Sequence, residues 1–167
     1  MIPGFAIRLD SMSRAISSVI IPAIDPENRL AQEQAALLLG QLAMMSGQWD
    51  KVERYTELCH ADLTSTAKAL KPEGGAATTA AGEELSNRIA AAQAPSEESF
   101  REVSAALEEL VQAVDEDGGD AFRRHLHKEV LEFGKRQAFR DRAWFVACGF
   151  DVNAGELPRI EELIRAG

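Results

Sequence analysis

The chain has 167 residues, 46% of them hydrophobic and 27% charged, with a formal net charge of −9. That length suffices for one hydrophobic core without metal or disulfide staples. The acidic balance repels nucleic-acid phosphates and anionic headgroups over most of the surface, so neither nucleic acid nor a membrane is an expected partner. No run of about 18 apolar residues occurs, and Met1–Phe5 reads as no targeting leader. The two cysteines, Cys59 and Cys148, lie in apolar stretches rather than in a closely spaced framework, which suits a reducing compartment and a cytoplasmic location.

The apolar period is helical throughout. Phe5, Leu9, Met12, Ile16, Val19 and Ile20 recur at three and four, one stripe facing a core, and Pro22 ends or kinks this first helix. Asp25-Pro26-Glu27 predicts the next start, with Asp25 as cap and Pro26 at the first helical position. Leu30, Ala31, Ala35, Leu38, Leu42 and Met45 keep the period, and Leu37 and Leu39 widen the apolar face beyond one neighbour's cover, as a central helix or an oligomer interface requires. A further stripe, Val52, Tyr55, Cys59, Leu63 and Leu70, leaves open whether residues 26–71 form one bent helix or two.

Pro72, Gly74 and Gly75 lead a break read as a flexible loop over 72–79. An alanine-rich helix over 80–94 follows. Pro95-Ser96 opens another, with Phe100, Val103, Leu107, Leu110 and Val114 in three-four alternation. Gly118-Gly119 closes it, Asp120 caps the next helix of about 121–148, Gly149 is its C-terminal cap, and a short helix begins at Pro158. The expectation is a single all-α domain over 1–167, an antiparallel helical bundle of six or seven helices with a short C-terminal helix.

The segment from Arg8-Leu9-Asp10-Ser11-Met12 through Ile24-Asp25-Pro26-Glu27-Asn28-Arg29-Leu30 resembles uncharacterised bacterial all-helical proteins found with acyl-CoA catabolism genes. The resemblance covers the first quarter of the chain and includes no catalytic motif, so it implies no residue roles.

Gly-rich phosphate loops, a nucleophile elbow, paired Cys-x-x-Cys and His-Glu-x-x-His are all absent, so no cofactor is expected and catalysis is not the leading reading. Glu57 and His60 have the Glu-x-x-His spacing of di-iron bundles. Glu57, however, lies about 160° from Cys59 around the helix, on the outward side, with His60 flanking the stripe. His125 and Glu129 at i and i+4 offer two ligands of a metal site but no third, and His127 has no evident partner. Residues 123–142 carry a net charge of +4, which falls to zero once Asp115, Glu116, Asp117 and Asp120 are counted. What survives is the row Arg136, Arg140 and Trp144, suited to a carboxylate or phosphate with an apolar moiety against the indole. Against that, Glu132 would pair with Arg136 while the Arg140 stem packs on Trp144.

Three functions follow. The leading one is a non-enzymatic interaction or accessory protein forming a homodimer, with a protein partner possible. The others are a binding module for an anionic, partly apolar molecule such as an acyl thioester, using Arg136, Arg140 and Trp144, and a metal-dependent helical-bundle enzyme using Glu57, His60, His125 and Glu129.

Overall fold

A computed structural model describes residues 4–149 and 151–165; Met1–Pro3, read above for a leader, lie outside the described residues. The fold is all-α, and among the described residues there is no strand and no helix long and apolar enough to cross a membrane. Helices are α1 (Phe5–Ala15), continued by a π-helical turn (Ile16–Ile20) and α2 (Ile21–Ala23), then α3 (Arg29–Gln48), α4 (Val52–Ala69), α5 (Ala76–Ala91), α6 (Glu97–Asp117), α7 (Asp120–Trp144) and α8 (Ile160–Leu163). Contacts divide the chain into two compact units. The first takes in the chain up to Val52 together with Asp141–Leu163, and the second holds Glu53–Arg140 and the chain from Ile164.

The second unit has the larger core. Leu63, Ala67 and Leu70 meet Leu85 of α5, Val103, Ala106, Leu107, Leu110 and Val114 of α6, and Phe122 and Leu126 of α7. The α6 contributors recur at three and four, the spacing that places them on one face. Its start is fixed by Ser96, whose hydroxyl accepts from the Ser99 amide while the Ser99 hydroxyl accepts from the Ser96 amide, each at 3.0 Å. At the other end of α6 the Arg123 guanidinium donates to the carbonyls of Val114 and Gly118 at 3.0 and 3.1 Å. A cation from the basic stretch thus closes the negative end of the preceding helix.

The connection expected over 72–79 is shorter, because α5 already begins at Ala76. Asp117 supplies what the small residues there lack. Its carboxylate accepts from the amides of Ala77 (2.8 Å) and Thr78 (3.0 Å) and from the Thr78 hydroxyl (2.7 Å). The Gly75 amide donates to the Asp117 carbonyl and the Gly119 amide to the Glu73 carbonyl, both at 3.0 Å. The two backbones come so close that a Cβ on Gly74 would stand 2.8 Å from the Gly118 Cα.

The first unit pairs α1 with α3 around Leu9, Ile16 and Leu42, with Leu39 and Ile21 packed against them. The Ile21 amide donates to the Ile16 carbonyl, five residues back, so the π-turn brings Ile21 to the side of Ile16. Val19 and Ile20, expected on the core stripe with Phe5 and Met12, are instead exposed, as are those two. The expected start at Asp25 also moves. Asp25 shapes a turn by accepting from the Glu27 amide, and the cap is Asn28, whose side chain accepts from the Ala31 amide. Residues 26–71 hold two helices, parted at Trp49-Asp50-Lys51. Finally, α7 stops at Trp144, and Gly149, at φ +77°, caps the 3-10 turn Val146–Cys148 instead. Cys148, in an apolar stretch of the sequence, is only half-buried, and Phe145 is exposed.

Candidate functional site: an uncovered apolar face

Helix α3 packs Leu42 against α1, and Ala35 and Leu42 are both buried. At about 100° per residue, Leu30, Gln34, Leu37, Leu38, Gln41 and Met45 fall on a separate stripe. Its four apolar members are 43% to 67% exposed. Only Arg29 and Glu33 are charged in the whole helix, and neither lies on that stripe. An uncharged and largely apolar surface of this extent marks an interaction site.

At its Met45 end the stripe runs into an open apolar depression of about 580 Å3 lined by Phe5, Met45, Gln48, Trp49 and Val52. The Phe5 and Trp49 rings lie 5.4 Å apart at 51°, a tilted contact that sets one wall. Gln48 is buried because its side-chain amide donates to the Trp144 carbonyl at 2.7 Å. Met44 is held from the other flank by the Cys148 thiol, sulfur to sulfur 3.1 Å. The depression therefore has a fixed floor and an apolar rim.

The residues expected to bind an anion are engaged otherwise. Arg136 and Arg140 do come together, but on Asp62 of α4. Arg136 donates through Nε and Nη2 to both Asp62 oxygens, and through Nη2 to the Thr66 hydroxyl at 3.1 Å. Arg140 donates to Asp62 Oδ2 through Nη1 at 2.8 Å and also through Nη2. The Arg140 Nε is buried and meets no partner among the described residues. One carboxylate between two guanidinium groups leaves a net charge of +1. Glu132, expected on Arg136, pairs with Lys135 instead at 2.8 Å. Trp144 belongs to the first unit and is buried, with no indole face open to a ligand. Sequence reading missed Asp62; the available signal was Asp62 and Thr66, polar at i and i+4 on the edge of the α4 apolar stripe.

The metal-like residues are not assembled. Glu57 is outward, 3.0 Å from Arg54. His60 is not a flanking surface residue: it is 6% exposed, and its Nε2 meets no partner among the described residues. Burial, and then the charge of Lys68, hold its pKa below the ordinary 6.5. His125 lies 3.9 Å from Glu129, and His127 does have a partner, Asp115 at 3.3 Å. Among the described residues no three His, Cys, Asp or Glu side chains are grouped to hold a metal ion.

Comparison with known proteins gives no assignment: no protein family matches the chain, and no curated protein or solved structure matches it.

Proposed function

We propose that this protein is a non-enzymatic interaction protein that self-associates, forming a homodimer through the uncovered face of α3. The observation that carries the reading is the exposure of Leu30, Leu37, Leu38 and Met45 along one uncharged stripe that ends in the Phe5–Trp49 depression. The first unit encloses few large side chains, Leu9, Ile16 and Leu42 at its centre, so covering this face adds the burial that its own core lacks. Two free thiols, Cys59 and Cys148, fit a cytoplasmic setting.

The small-molecule reading has less support, because Arg136 and Arg140 both turn donors onto the Asp62 carboxylate, which already fills the place of an anionic ligand. The metal-enzyme reading has less still, since Glu57 and His60 face different surroundings.

Light scattering after gel filtration tests the reading. The expected mass is two chains for the native protein and one chain for Leu38→Glu, which places a carboxylate mid-stripe. A native mass of one chain across the accessible concentration range overturns it.

A further inference from the structure

The stripe on α3 has an internal order that says how a second copy would lie on it. In chain direction it reads Leu30, Gln34, Leu37, Leu38, Gln41, Met45. Read backwards it is Met, Gln, Leu, Leu, Gln, Leu. The spacing of this stripe is the same in both directions, and so is the kind of residue at each position. Here each residue has a counterpart of its own kind at the mirrored position, about a midpoint between Leu37 and Leu38.

A two-fold contact between antiparallel helices sets residue i against j and j against i, and this order makes every such pair apolar on apolar or amide on amide. We propose that two copies pair through α3 in antiparallel register, the axis passing between Leu37 and Leu38; this rests on the self-association reading above. Leu30 then faces Met45 of the second copy, Gln34 faces Gln41, and Leu37 faces Leu38. Each Gln side chain has both a donor and an acceptor, so a facing pair satisfies itself without introducing charge. Leu30 of the second copy arrives at the Met45 end, over the depression walled by Phe5, Trp49 and Val52.

Charge and area both favour a second copy as the occupant. Each chain carries −9, so two copies approach with least repulsion through a stripe that has no charge. A helix of 20 residues is about 30 Å long. The six stripe residues with Phe5, Trp49 and Val52 would remove roughly 600 to 800 Å2 from water on each copy, close to the ~800 Å2 per partner of a stable interface.

A charge exchange at the two glutamines tests the register, because both are exposed and helical content by circular dichroism confirms that the variants fold. Q34K+Q41K puts ammonium against ammonium in any pairing of this face and is expected to weaken the dimer at least about tenfold, giving one chain by light scattering. Q34E+Q41K in one chain sets the carboxylate introduced at the first position against the ammonium introduced at the second, twice over in the antiparallel register, and is expected to keep two chains. In a parallel pair it sets like against like and dissociates, which overturns the register while leaving self-association standing. If both variants stay dimeric, the pairing surface lies elsewhere and the proposal falls; if the native protein has the mass of one chain, it falls together with the reading beneath it. Crosslinking provides a readout independent of charge. In chains with Cys59 and Cys148 replaced, Leu30→Cys and Met45→Cys are expected to join through a short bis-maleimide when mixed and not when alone. Joining of either alone marks a parallel pair.

Discussion

Asp117, at the end of α6, closes the first turn of α5 on Thr78, with the carboxylate accepting from both the amide and the hydroxyl of that residue. Hydrogen bonds from Thr78, and then from Ala77 and Gly75, hold the Asp117 carboxyl below its ordinary value of 3.8. The unfolded chain therefore binds this proton more readily than the folded one. Stability from the contact is complete above the unfolded value and is lost as the pH falls through the lower folded value. Asp117→Asn should lower the melting temperature at pH 7 and flatten its decline below about pH 4. A variant that melts like the native protein and keeps the full acid decline would show that the contact adds nothing.

Asp62 carries two guanidinium groups, and removing it leaves Arg140, 12% exposed, with an uncompensated charge. Asp62→Ala is expected to cost on the order of 2 kcal/mol in urea denaturation, below the 3–5 of a fully buried pair because the site remains partly wet. Arg136→Ala, at a side chain 48% exposed, should cost under about 1 kcal/mol. The Asp62→Ala protein should also be stabilised by millimolar phosphate where the native protein is not, since the vacated site then offers two free guanidinium groups. Equal costs for the two variants would contradict the unequal burial.

His60 is buried with Nε2 unpartnered among the described residues, and its folded pKa is lowered, first by burial and then by Lys68. Below about 6.5 the unfolded chain takes up a proton that the folded chain resists, so this residue's contribution is full at neutral pH and lost as the pH falls from about 6.5 toward the lower folded value. His60→Leu should remove that part of the pH dependence between about pH 7 and 5 and leave stability at about pH 7.5 unchanged or higher. Denaturation midpoints across that range decide it, and an unaltered slope in the variant would count against a buried neutral imidazole.

The second unit was readable because its signals are local. The Val103, Leu107, Leu110 and Val114 repeat and the Ser96 start translate directly into α6. Asp25 misled because Asp and Pro favour a turn as well as a helix start, and Asn28 two residues beyond Pro26 took the cap. The fates of Val19 and Ile20 were hidden because a π-turn adds a residue that a period of 3.6 does not foresee. The candidate site was half legible: the breadth of the α3 apolar face stood out, but which side α1 would leave open depends on packing. Asp62 was illegible as a partner of Arg136 and Arg140, 74 and 78 residues away, for no pattern along one helix names a residue on another.

The Asp117 contact also bears on how the protein unfolds. It joins residues 39 and 40 apart, so closing it early would cost chain entropy that only a formed α5–α6 hairpin has already met. An interaction absent from the transition state slows escape from the native state and leaves the rate of arrival untouched. Asp117→Asn is therefore expected to hasten unfolding of the second unit in stopped-flow urea jumps while its refolding rate stays unchanged.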